Sequence, residues 1–131
     1  MALSADRNTP ERGNQEFALA TASGQVIYRG ALVALNASGE LVKGSTATTL
    51  KALGRAENST QDPGYDGKIT YRRGVFRFNN SGSTDAIAAT DIGATCYIVD
   101  DETVAKTSGS NTRSAAGIVR AVDAAGVWVE I

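Results

Sequence analysis

Between Asp91 and Ile131 the chain is a succession of short apolar, partly β-branched runs cut by Asp, Gly and Ser. It reads Asp91-Ile92-Gly93-Ala94-Thr95-Cys96-Tyr97-Ile98-Val99, then Asp100-Asp101-Glu102, then Thr103 to Thr107. After a polar loop come Ala115 to Val122, a break at Asp123-Ala124-Ala125-Gly126, and Val127-Trp128-Val129-Glu130-Ile131. Runs of this length, separated by turn-forming residues, predict antiparallel strands joined by tight turns. In the last run Val127, Val129 and Ile131 share one face, and Trp128 and Glu130 share the other. Such a strand needs neighbours, and the earlier segments must supply them.

Those segments have the same texture. Glu16 to Thr21 alternates, with Phe17 and Leu19 on one face. Gln25 to Leu35 is a longer β-type run interrupted by Gly30, which marks a bulge, bend or turn. Ala37-Ser38-Gly39-Glu40 reads as a hairpin turn leading to Leu41-Val42. Thr46 to Ala56 fits a short helix through Leu50 and Leu53, or a strand. Its β-branched threonines and Gly54 favour the strand.

Glu57 to Gly67 is loop-like around Asp62-Pro63-Gly64. In Lys68 to Asn79, Ile69 and Tyr71 have one parity and Phe76 and Phe78 the other. A bulge or sharp bend at Gly74 would reconcile them. Thr84 or Ser83 is placed to cap a helical turn over residues 85–89 with Ile87 buried. The sum is eight to ten short strands and at most one short helix. The expected fold is mainly β, a small antiparallel β-barrel or β-sandwich.

At 131 residues the chain has the length of one domain. A net charge of −1 gives no global field to attract nucleic acid or an anionic membrane, so neither is an expected partner. No apolar run reaches the roughly 18 residues of a membrane span, and Met1 to Asn14 lacks the apolar stretch of a secretory signal. With no histidine and one cysteine, the commonest general base and the usual zinc ligand sets are missing. Cys96 lies in an apolar run and reads as a small packing residue, not a nucleophile. Asp100-Asp101-Glu102 lacks the spacing of a calcium loop and reads as a hairpin turn. No phosphate-binding glycine motif occurs. The expectation is therefore no catalytic residue, no metal, no cofactor and no small-molecule substrate.

Binding is the remaining chemistry. Residues 1–15 are polar, of mixed charge and without period, a separate arm on a β-rich domain of residues 16–131. Such an arm is either a disordered start or a strap that orders against a neighbour. In the second case Arg7, Asn8, Glu11 and Arg12 supply polar contacts, and Pro10 lowers the entropy lost on ordering. Arg72, Arg73 and Arg77 lie among aromatics but split between strand faces, which suits ion pairs across a subunit contact better than a nucleic-acid platform. Trp128 is the large aromatic on an outward position. It either packs under a loop or anchors an interface. Arg73, Arg77 and Trp128 are thus the candidate subunit interface.

The chain resembles the capsid decoration, or cement, proteins of tailed bacteriophages. The likeness lies in Ala5-Asp6-Arg7-Asn8-Thr9-Pro10, Ile27-Tyr28-Arg29-Gly30-Ala31-Leu32-Val33 and Arg73-Gly74-Val75-Phe76. It continues through Asp91 to Asp101 and the closing Gly126-Val127-Trp128-Val129, so it spans nearly the whole chain. The resemblance implies a structural virion protein, made in the bacterial host cytoplasm and carried on the capsid exterior. It implies a homotrimer at three-fold and quasi-three-fold positions, fastening major capsid protein subunits with an arm that orders on the shell. Two rivals stand beside it: a phage-associated β-barrel adhesion module binding host carbohydrate, and an enzyme.

Overall fold

The apolar run Leu32-Val33-Ala34-Leu35 does not alternate with polar residues, and the reason is that two cores meet on it. The computed structural model describes residues 2–131. Ten strands form among the described residues: β1 (Glu16–Ala20), β2 (Leu32–Leu35), β3 (Leu41–Lys43), β4 (Lys51–Ala56), β5 (Lys68–Arg72), β6 (Val75–Asn80), β7 (Thr95–Ile98), β8 (Thr103–Ala105), β9 (Ala115–Asp123) and β10 (Gly126–Glu130). The first five make an antiparallel sheet in the order β1-β5-β4-β2-β3. The last five close into a barrel in the order β10-β6-β8-β7-β9. The chain is mainly β, as its punctuated runs predict.

On β2, Leu32 and Ala34 point into the barrel core with Phe78, Ile98, Val104, Val119, Val127 and Val129. Val33 points the other way, into the sheet core with Ile27, Leu41, Ala56, Ile69 and Tyr71. A strand buried on both faces reads as a continuous apolar run. Burying each such side chain stabilises the fold by roughly 1.5–3 kcal/mol, so losing β2 would cost both cores. The parity of the last strand is as read: Val127 and Val129 are inside, while Trp128 is half-buried and Glu130 exposed.

Gly74 is the crossing point between the two halves. β5 belongs to the sheet and β6 to the barrel, so the change of phase at Gly74 moves the apolar side chains from one core to the other. Gly74 has φ +158°, and its backbone pairs with Ile131 (Ile131 N–H to the Gly74 carbonyl, 2.9 Å). The interruption at Gly30 is likewise a turn, with φ +94° and Ala31 N–H donating to the Tyr28 carbonyl at 3.1 Å.

Two expectations need correction. The barrel is not wholly antiparallel, because β6 and β8 pair in parallel through Asn79↔Thr103 and Asn80↔Val104. The chain between them, including β7, is long enough to return to the starting end, as a parallel pair requires. The helical turn over residues 85–89 does not form. Instead two 3₁₀ turns, Ser83–Asp85 and Ala89–Asp91, flank Ile87, and neither has a side-chain cap from Ser83 or Thr84. Asn80 takes both backbone groups of Ile87: its Oδ1 accepts the N–H and its Nδ2 donates to the carbonyl, each at 2.9 Å. That pairing holds Ile87 in the barrel core and leaves its backbone nothing to give to a helix.

Candidate functional site

Two surfaces contain the residues singled out from the sequence. The first is the arm. Residues 2–14 are exposed and belong to no strand, and Met1 lies outside the described residues. Arg7 makes only a local contact, its guanidinium donating to Thr9 Oγ1 at 2.9 Å. Asn8, Pro10 and Glu11 are exposed. Among the described residues before Gln15, Arg12 reaches the body with its guanidinium 4.6 Å from the centroid of the Phe17 ring, and Asn14 borders a groove with Arg73, Gly74 and Ile131.

The arm's root is fixed more firmly. Arg73 N–H donates to the Gln15 carbonyl at 2.6 Å, and the Arg72 guanidinium donates to Gln15 Oε1 at 3.1 Å. The Arg73 side chain is exposed and borders a shallow groove of about 320 Å³ with Phe17, Leu53, Tyr71 and Ile131. Arg73 therefore belongs to the arm root.

The second surface is built across β6 and β10. Arg77 and Trp128 are cross-strand partners, so their side chains leave the barrel on the same outer face. The Arg77 guanidinium sits 5.7 Å from the Trp128 ring centroid. Trp128 Nε1–H donates to Asp123 Oδ2 at 3.0 Å, while Asp123 Oδ1 accepts the N–H groups of Ala125 (2.8 Å) and Gly126 (3.0 Å). One carboxylate thus closes the β9–β10 turn and orients the indole. The Trp128 hydrogen bond, then the Ala125 N–H, hold the Asp123 carboxyl below its ordinary range, with Arg77 adding a smaller attraction.

Alongside, Arg55 lies 4.4 Å from the Phe76 ring centroid and is held there by Glu57 Oε1 (2.8 and 3.2 Å). Gly30, Arg55, Phe76, Arg77 and Trp128 line a groove of about 300 Å³. Beyond Gly30 the surface continues to Tyr28, which is 60% exposed, and to Asp101 and Glu102. Of the three interface candidates, Arg77 and Trp128 adjoin and Arg73 stands apart. The sequence offers Phe76 as an aromatic beside the arginines but does not offer Arg55 or Asp123 as partners of this face. Only the pairing register brings them to this face, although Asp123 before Ala-Ala-Gly is itself a side-chain turn signal.

Cys96 is fully buried in the barrel core, where burial pushes its thiol up to about 11. It packs, as its apolar surroundings predict. The acidic triplet is the β7–β8 turn, with Asp100 Oδ1 accepting Glu102 N–H at 2.9 Å. Fold and surfaces together define a small β-barrel protein with an attached sheet and an exposed arm. No protein-family model matches the chain, and no curated protein or solved structure matches it.

Proposed function

We propose that this protein is a structural component of a phage virion that binds the outer surface of the capsid and fastens neighbouring major capsid subunits. In this reading it acts as a homotrimer at three-fold and quasi-three-fold positions, with Arg77 and Trp128 in the contact between copies. The observation that carries the reading is the contrast at Gln15. An exposed, polar arm is tied by its last residue to a body whose two cores share a strand. A body of this kind is a rigid mount, and an unpaired arm can order on whatever surface lies beside it. Arg7, Asn8, Glu11 and Arg12 then make polar contacts, and Pro10 reduces the ordering cost. Three modest contacts on one trimer act together, so weak single arms give firm attachment.

The carbohydrate reading has less support. A sugar stacks on open aromatic faces, and Arg77 and Arg55 already lie against Trp128 and Phe76. The test is deletion of residues 1–14 followed by co-sedimentation with expanded and unexpanded shells. The full chain is expected to sediment with expanded shells and the shortened chain to stay in the supernatant. Full occupancy by the shortened chain would remove the arm from the account.

A further inference from the structure

The groove beside Trp128 and the surface beyond it differ in charge. Gly30, Arg55, Val75, Phe76, Arg77 and Trp128 line the first. Tyr28, Arg29, Gly30, Asp101 and Glu102 line the second, a groove of about 440 Å³. Gly30 belongs to both, so the two form one continuous face. A Cβ built on Gly30 would meet open space, so another chain can come close at the middle of that face.

The ion pairs here leave a remainder of both signs. Arg55 is held by Glu57 at 2.8 Å and Arg29 by Asp62 at 3.0 Å. Arg77, Asp101 and Glu102 have no ion-pair partner among the described residues. Asp123 does not serve Arg77 in this way, because its carboxylate oxygens are taken by the indole and by the β9–β10 turn. The Arg77 guanidinium thus lies beside the Trp128 ring with a planar fork of donors free, the shape that grips a carboxylate. Exposed apolar surface is divided the same way. Val75 is 44% exposed on the positive side, and Tyr28 is 60% exposed on the negative side.

We propose that this face binds a second copy of the chain, the Arg77–Trp128 side of one set against the Tyr28–Asp101–Glu102 side of the other. The proposal rests on the reading of Arg77 and Trp128 as a contact between copies, and it adds what they meet there. In that arrangement the Arg77 fork reaches the carboxylates, and the Tyr28 ring packs on Val75 and Trp128, an aromatic anchor beside a charge-assisted pair.

The occupant follows from charge. A nucleic acid or an acidic peptide would suit Arg77 and be repelled by Asp101 and Glu102, and a basic peptide would meet the reverse. A second copy brings both signs, each opposite its complement, so no like charges face each other. The arm carries both signs too, but at adjoining residues, Asp6-Arg7 and Glu11-Arg12, and with no aromatic to cover Val75 and Trp128.

Sedimentation equilibrium of the full chain over a concentration series reads this contact directly. The wild type is expected to self-associate. Arg77→Glu and Glu102→Arg should each weaken association at least about tenfold. At a concentration where neither variant associates alone, their equimolar mixture should associate, because the new glutamate of one meets the new arginine of the other. A variant damaged in folding could not be rescued by mixing. Tyr28→Ala removes a ring that is exposed in the single chain and should weaken association about tenfold as well, with an unchanged circular dichroism spectrum. A monomeric wild type, single variants that associate like the wild type, or a mixture no better than its components would overturn the inference. So would association lost on deletion of residues 1–14 but kept in Arg77→Glu, which would make the arm the occupant. An oligomer indifferent to these charges would place the contact between copies elsewhere, whereas a monomer would remove that contact altogether. No shell is present, so shell binding keeps its own co-sedimentation test.

Discussion

The two halves of the molecule solve the same problem in different ways. The barrel closes on itself, so each strand is paired on both sides and no edge is left for another chain. The sheet closes at one point only, where Thr21 just after β1 bridges to Leu41 of β3, and the arm leaves from the other end of β1. Among the links between the two halves are β2, whose Leu32 N–H donates to the Asp101 carbonyl at 2.8 Å, and Ser114, whose Oγ accepts Leu50 N–H (3.0 Å) and donates to the Ala47 carbonyl (2.6 Å).

The sharpest way to break that contrast is to cut the shared strand. Leu32 is fully buried in the barrel core although it belongs to the sheet. Leu32→Ala is expected to cost about 3–4 kcal/mol. Urea unfolding followed by Trp128 fluorescence and by hydrogen exchange of β5 should shift together. Separate midpoints would mean that the halves unfold independently.

Gly117 comes next. A Cβ there would overlap the Glu130 carbonyl oxygen on the neighbouring strand β10, whereas one at Gly64 would meet open space. Gly117→Ala should lower stability by roughly 2–3 kcal/mol and Gly64→Ala by less than about 0.5 kcal/mol. Chemical denaturation of the two variants checks this. Trp128→Phe keeps a ring beside Arg77 but loses the Asp123 bond, for an expected loss of about 1 kcal/mol in the same assay.

How much of this was visible beforehand depends on which interaction fixes each element. The inward parity of Val127 and Val129 and the change of phase at Gly74 are period-two facts, and they hold. The doubly buried β2 left a trace in four successive apolar residues, but periodicity alone does not tell two cores from one. The parallel β6–β8 pair left none, since nothing local distinguishes it. Ser83 and Thr84 look like helix caps, and a distant side chain, Asn80, overrides them at Ile87. Of the candidate surface, Arg77 and Trp128 were legible one at a time. Their adjacency, and the place of Arg55 and Asp123 beside them, needed the register.

The smaller effects separate arm from body. Removing residues 1–14 should change stability by less than about 0.5 kcal/mol, because among its described residues that segment is exposed and meets the body only at Arg12 and Asn14. A larger loss of melting temperature would make the arm part of the fold. The smallest effect is acid softening of the β9–β10 turn. Asp123 has a depressed folded pKa, so its stabilisation is complete above the unfolded value near 3.9 and is lost as pH falls through the lower folded value. The melting-temperature gap between wild type and Asp123→Asn should therefore be full at pH 6 and narrow below about pH 4. A gap that widened on acidification would contradict the assignment.

The central claim is that an arm loose on the free protein becomes ordered where the protein works. Hydrogen exchange of the full chain, free and bound to expanded shells, measures this directly. The account predicts fast exchange of the amides of residues 2–14 in the free protein and marked slowing on the shell, with the barrel amides unchanged. Shell-bound protein whose arm still exchanges at the free rate would contradict it.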